Sequence, residues 1–227
     1  MRFDARQRCL FLLPLLGALV TTAAGAQDWV EFVHLTDRFA IMFPGEPSTE
    51  ATTHISANDV VYPARIYSVR NGATLYSVTV VDYTDAERRH RERPDKTDAS
   101  SNERFWVMDI RASVAHAAKI FRTRGGEVSY DGWVDIDKVE GQQLQITNPD
   151  GSRSFIGIHL NASRLYIIEG TVPKGAPAPE LFRSSMQFLN ESGEQIRYTF
   201  DPDGQRIDVR VRPLGEVQEG VRRVVVR

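Results

Sequence analysis

The chain has 227 residues and a formal net charge of −2, with 41% hydrophobic and 26% charged residues. This composition is typical of a globular domain, and the charge is too mild to indicate a nucleic-acid partner, so we expect none. The single cysteine, Cys9, leaves the rest of the chain without disulfides, thiolate catalysis or cysteine-based metal sites.

Residues 1–26 have the pattern of an export signal. Three arginines in residues 1–8 precede an apolar run at residues 10–20, and Ala24 and Ala26 have the spacing that signal peptidase requires. We therefore predict cleavage after Ala26, a periplasmic or secreted protein, and no membrane span once the signal is removed. An uncleaved anchor is the alternative, because residues 9–26 are about the shortest stretch that can cross a bilayer.

Strand patterns dominate the mature chain. Apolar and polar residues alternate in short runs that are bounded by Gly, Pro, Asn and Asp. Asn71-Gly72 is typical of a two-residue hairpin turn. We predict strands at residues 29–34, 39–43, 50–55, 60–69, 73–83, 128–136, 141–147, 153–160, 164–172 and 187–189.

One long helix is predicted at residues 101–124, where Ser100 and Glu103 form a capping box. Its apolar residues recur at helical spacing, which indicates a face packed on a sheet rather than a cofactor site. A second, short helix is predicted at residues 180–186. The apolar stripe of the long helix consists of Trp106, Ile110, Val114, Ala117 and Phe121.

The segment 85–104 carries six basic and six acidic residues around His90. Because opposite charges alternate along it, we interpret the segment as a solvated loop. The alternative interpretation is a loop that contacts a ligand, although its spacing selects no particular ligand.

The sequence contains no motif for catalysis, phosphate binding or metal binding. None of the five histidines has a partner at helical metal-site spacing, and His159 is expected on the solvent face of its strand. Asp135 and Asp137 are expected on one face of a strand as solvated acids, with a cation site as the alternative. We therefore predict no catalytic residue, no metal ligand and no cofactor.

Three segments resemble PsbP-like domains and the uncharacterised secreted bacterial proteins that are similar to them. Residues 39–47 resemble the early F-x-V-x-x-P-x-x-P strand of that family, and residues 164–170 resemble its penultimate strand. Residues 181–189 resemble its closing F-x-x-S-x-x-F element. The resemblance implies an α-β-α sandwich. It implies no catalytic residues, because the best-known members are non-catalytic accessory proteins of photosynthetic or other assemblies.

We therefore predict an α+β fold, a mostly antiparallel sheet flanked by helices, over residues 27–190. Residues 191–227 are predicted to be an extension, a hairpin with a flexible tail, that serves interaction and is dispensable for folding. The predicted function is that of a periplasmic or secreted, non-catalytic accessory or binding protein with a protein partner. The alternative is a hydrolase or transferase with a non-local active site near residues 85–104 and a histidine such as His90.

Overall fold

The computed structural model describes residues 29–94, 104–212 and 219–223. The predicted signal segment and the capping box at Ser100 lie outside the described residues. In chain order, the described elements are β1 (Val30–His34), β2 (Phe39–Phe43), β3 (Ser48–Ile55), β4 (Val61–Asn71), β5 (Thr74–Asp82), α1 (Ala86–Arg91), α2 (Phe105–Thr123), β6 (Glu127–Ile136), β7 (Val139–Thr147), β8 (Arg153–Asn161), β9 (Arg164–Val172), α3 (Glu180–Ser184), β10 (Gln187–Phe188), β11 (Gln195–Phe200), β12 (Arg206–Arg212) and β13 (Gly220–Arg223).

Seven strands form one large antiparallel sheet in the order β3-β4-β5-β9-β8-β7-β6. Neighbouring strands are joined by turns or loops of two to five residues except β5 and β9, which pair although α1, α2 and three strands lie between them in the chain. The predicted hairpin turn is confirmed: Gly72 has a φ of 56° between the paired residues Asn71 and Thr74. This left-handed conformation is the one that glycine adopts without a steric penalty.

The helix α2 covers one face of the large sheet. Its apolar stripe packs on a cluster of buried side chains that includes Leu144, Ile156 and Ile158, so the predicted packing face is confirmed. The residue Ala117 is fully buried in that cluster, whereas Trp106 and Phe121 are partly buried at its border. The short helix α1 lies against α2.

The opposite face is covered mainly by a second sheet, ordered β10-β2-β1-β13, and by α3. Phe39, Ile41 and Phe43 of β2 enter the core there and meet Tyr166 and Phe182. Strands make up 51% of the structure and helices 17%, so the prediction of an α+β sandwich flanked by helices is wrong and the fold is β-rich. The periodicity of the sequence identified which faces are apolar. It did not indicate what covers them, because either a sheet or a helix can cover an apolar face.

Part of the predicted extension belongs to the core. The strands β11 and β12 form the expected hairpin, and Tyr198 on β11 is buried in the cluster between the two sheets. Its hydroxyl donates to Asn161 Oδ1 at 3.0 Å, and its backbone N–H donates to the Asp137 carbonyl at 3.0 Å. The later strand β13 pairs with β1. These contacts argue against an extension that is dispensable for folding.

Candidate functional site

The predicted loop at 85–104 contains a helix and a buried histidine. His90 lies on α1 and donates from Nε2 to Oδ2 of Asp109 on α2 at 3.0 Å. The hydroxyl of Tyr62 donates to the same oxygen at 3.1 Å, and Asn58 Nδ2 donates to Oδ1 at 2.9 Å. Asp109 is fully buried. The local charges partly cancel, because Arg88 pairs with acidic residues within its own helical turn.

The Asp109 carboxylate is held in its charged form. Burial is the largest effect and raises the pKa of Asp109, but hydrogen bonds from Ser56, His90, Asn58 and Tyr62 together lower it below its ordinary value. Each oxygen thus has partners, as a buried charge requires. The hydrogen bonds around Asp109 hold α1 and α2 against the turn between β3 and β4. A nearby cavity of about 490 Å³ lies along residues 104–111 of α2 and includes neither His90 nor Asp109 in its lining.

A second buried carboxylate, Asp37, joins the two sheets. Arg65 donates to it from Nε at 2.7 Å and also from Nη2, and the Tyr67 hydroxyl donates at 2.5 Å. Tyr166 donates to the Asp37 carbonyl at 2.8 Å. Burial raises the pKa of Asp37, but these bonds and the charge of Arg65 lower it below its ordinary value. Both carboxylate oxygens of Asp37 have hydrogen-bond partners, and these bonds hold the two sheets together.

A shallow cleft crosses the large sheet beside α3. Its floor includes a row of residues that lie side by side on three adjacent strands: Gln143, Gly157 and Ile168. In the next row, Gly141 lies opposite His159. Gly157 leaves space above the sheet, whereas the rings of Tyr130 and His159 lie over Gly132 and Gly141. The cleft has a volume of about 210 Å³.

His159 lines this cleft and is 1% exposed, so the expectation that it faces solvent is wrong. The reason is that β8 is a central strand with both faces covered. The ring nitrogen Nδ1 lies 3.1 Å from the Val139 carbonyl, which can only accept, so Nδ1 carries the proton. Nε2 is then an acceptor, and it has no hydrogen-bond partner among the described residues. Burial, the largest effect, lowers the pKa of His159 to about 4.

Charged side chains stand at the rim of the cleft. Glu180 and Arg183 of α3 line the cleft and pair with each other at 2.9 Å, and Asp135 borders the cleft at the edge strand. The predicted pair of Asp135 and Asp137 does not form one site. Asp137 lies in the turn after β6 with a φ of 50° and accepts from Gln195 at 3.1 Å, while Asp135 remains at the cleft.

The strand β6 is an edge of the large sheet and pairs, within the described ranges, with β7 alone. Two of its aromatic side chains are open to solvent: Trp133 is 75% exposed and Tyr130 is 45% exposed. A second hollow of about 330 Å³ adjoins the cleft and is lined by Trp133, Val134, Asp135 and Glu140. Open edges with large apolar side chains are unusual, because they invite pairing with another chain.

Sequence reasoning missed the cleft, although one signal for it was present. Glycines inside strands mark a bulge or a place where something approaches the backbone closely. Three such glycines, Gly132, Gly141 and Gly157, lie in three consecutive strands. Their convergence depends on the register between the strands, which a single sequence does not contain.

Comparisons with known proteins find a likeness to solved structures alone. No family model and no curated protein matches the chain. The chain is similar to the solution structure of cyanobacterial PsbP (CyanoP) from Synechocystis sp. PCC 6803, with a TM-score of 0.42 and 11% identity. The match covers 74% of this chain and 96% of that one. A likeness of this size carries no argument about function, and membership of the PsbP-like family stays a prediction.

Two further properties concern the part of the chain that the structure describes. No cluster of three or more His, Cys, Asp or Glu side chains there could hold a metal ion. No helix there is long and apolar enough to cross a membrane.

Proposed function

We propose that this protein is an exported, non-catalytic accessory protein that binds an extended segment of a partner protein along the edge strand β6. The observation that carries the proposal is the pair of exposed aromatic side chains, Trp133 and Tyr130, on a strand whose outer edge has no partner strand among the described residues. Export to the periplasm or the medium is supported by the signal pattern of residues 1–26.

The two edges of the large sheet differ in chemistry. The strand β3, at the other edge, is rich in serine and threonine over residues 48–54 and carries one acidic residue, Glu50. Such an edge gives an incoming strand little apolar surface. On β6, Trp133 and Tyr130 point to opposite sides of the strand, because Trp133 pairs with Gln142 and Tyr130 with Gln145. A strand added beside β6 would gain backbone hydrogen bonds and an aromatic contact on each face.

The buried polar groups favour binding over catalysis. The carboxylate of Asp109 and its partner His90 are paired with each other and enclosed, so neither is presented to a substrate. A hydrolase or transferase near residues 85–104 remains the alternative. The enzyme alternative predicts that His90→Gln abolishes a hydrolase or transferase activity while the protein stays folded. The binding proposal predicts that the same change only lowers the stability of the protein.

The test is site-specific photo-crosslinking in the exported protein. A photoreactive residue replaces Trp133 on β6 or, as the matched control, Ile55, which is 56% exposed on the opposite edge strand. We expect a discrete crosslinked protein from position 133 and none from position 55. With the purified partner added, backbone amides of β6 should then gain protection from hydrogen exchange, as an added strand requires.

Two results would contradict the proposal. One is the same crosslinked products at positions 133 and 55, which would indicate non-specific contact. The other is a specific partner that leaves the hydrogen exchange of β6 unchanged and protects another element.

A further inference from the structure

We propose that the partner segment bound along β6 alternates apolar and basic residues, and that one of its basic side chains lies over the indole of Trp133. This inference rests on the proposed function and names the chemistry of the partner. It starts from the strand itself, because the two faces of β6 carry side chains of different chemistry.

One face of β6 is apolar. Ile136 packs against the cluster between the two sheets, and alternation along the strand places Val134 and Gly132 on the same face. The ring of Tyr130 lies over Gly132, because a Cβ added there would be 2.7 Å from the Tyr130 hydroxyl oxygen. None of these side chains is charged. An added strand would therefore gain most on this side by placing apolar side chains there.

The other face of β6 carries an exposed indole among carboxylates. Asp131, Trp133 and Asp135 alternate along this face. Asp135 lies directly opposite Glu140 of β7, and like charges in that position repel each other. Trp133 is 75% exposed and lines the hollow of about 330 Å³ together with both of these carboxylates. The indole and the carboxylates are thus open to the same space.

The cations already on this face do not balance its charge. Arg122 of α2 donates to both carboxylate oxygens of Asp131, at 2.6 and 3.0 Å, and Lys138 lies 3.6 Å from Asp135. Glu140 forms no ion pair among the described residues, so three carboxylates stand against two cations. The bond from Arg122 also shows that this face accepts a guanidinium from outside the strand. The remaining negative charge favours a cation in the incoming segment.

The indole of Trp133 provides the place for that cation. Tryptophan attracts a cation to the face of its ring more strongly than the other aromatic residues do. In the part of the chain that the structure describes, no arginine or lysine lies over this ring. Side chains of an added strand would begin about 5 Å from those of β6, which is within the reach of a long basic side chain. A cation over Trp133 would also lie beside Asp135.

The test uses the purified mature protein and a short capped peptide in which valine and threonine alternate and arginine replaces one central threonine. The matched peptide has citrulline there, which has the shape of arginine without its charge. Chemical shifts of the Trp133 indole give the affinities, and hydrogen exchange of β6 reports strand addition. We expect the arginine peptide to bind about tenfold more tightly than the citrulline peptide. The preference should disappear at about 0.5 M salt, because the charges are exposed.

Variants of β6 and β7 separate the charge from the ring. The double change Asp135→Asn and Glu140→Gln keeps the side-chain shapes, and it should reduce the preference for arginine to about twofold without changing the binding of the citrulline peptide. Trp133→Leu keeps an apolar side chain but removes the aromatic face, so it should also reduce the preference. Glu50→Gln removes an exposed carboxylate from the opposite edge strand β3, and this control should keep the full preference.

The outcomes distinguish this inference from the proposed function. Equal binding of the two peptides, with β6 protected from exchange by both, would overturn the basic partner and leave strand addition intact. A full arginine preference in the double variant of Asp135 and Glu140 would also overturn it, because the preference would then arise elsewhere. Absence of protection on β6 with every peptide would instead contradict strand addition itself, and this inference with it.

Discussion

Two buried histidines have different roles because their ring nitrogens have different partners. His90 donates to the charged Asp109, which fastens two helices to a turn. His159 donates to a backbone carbonyl and leaves its second nitrogen free of partners among the described residues. In the first arrangement, the ring nitrogen Nε2 of His90 is used in a hydrogen bond within the fold. The second leaves a buried acceptor without a partner among the described residues, which costs stability.

Acid should destabilise the protein through His159. Its pKa is lowered from 6.5 to about 4 in the folded state, so the unfolded chain binds a proton between these values while the folded protein does not. The stabilisation is present above pH 6.5 and is lost as the pH falls toward 4. Between pH 7 and pH 5, we expect a loss of about 2 kcal/mol from this residue.

The measurement is urea unfolding of the wild type and His159→Asn at pH 7 and pH 5. The variant should lose less stability on acidification than the wild type does. Identical pH profiles for the wild type and His159→Asn would contradict the assignment.

At the scale of elements, α2 stabilises the sheet through one stripe of side chains. Replacing Phe121 with Ala should lower the free energy of unfolding by about 2 kcal/mol, below the 3–5 kcal/mol of a fully buried aromatic residue, because the ring is partly exposed. The neighbouring Ile120 is exposed, and Ile120→Ala should change stability by less than about 0.5 kcal/mol. Chemical denaturation checks both values, and equal losses would place the packing face elsewhere.

The hairpin of β11 and β12 should be part of the cooperative fold. Tyr198→Ala removes a buried ring and its bond to Asn161, and should lower the free energy of unfolding by about 3 kcal/mol. Phe200 lies on the same strand but is exposed, so Phe200→Ala is the control and should have little effect. A chain ending at residue 190 should melt at a lower temperature than the full chain. An unchanged melting temperature would restore the view that the extension is dispensable.

At the scale of the whole molecule, sequence patterns predicted the positions of individual strands and helices better than they predicted how these elements stack into sheets and layers. Alternation and turn residues placed β2 and β9 with the bounds that the structure has. Helical spacing identified the buried stripe of α2. The second sheet was missed because pairing of β10, β2, β1 and β13 joins distant parts of the chain. The helix α1 was missed because its buried histidine depends on Asp109, a partner that only the fold brings near.

The pairing of β5 with β9 has a consequence for how the chain folds. The strands β6 to β9 follow one another as hairpins, and β3 to β5 do the same, so each group can form from contacts between neighbours. The junction between the groups closes a long loop that contains both α1 and α2. Loop closure of this length costs entropy before it gains contacts, so this junction should be the slow step of folding. Two half-sheets with open edges would precede it, and open edges of that kind are where partly folded chains pair with one another and aggregate.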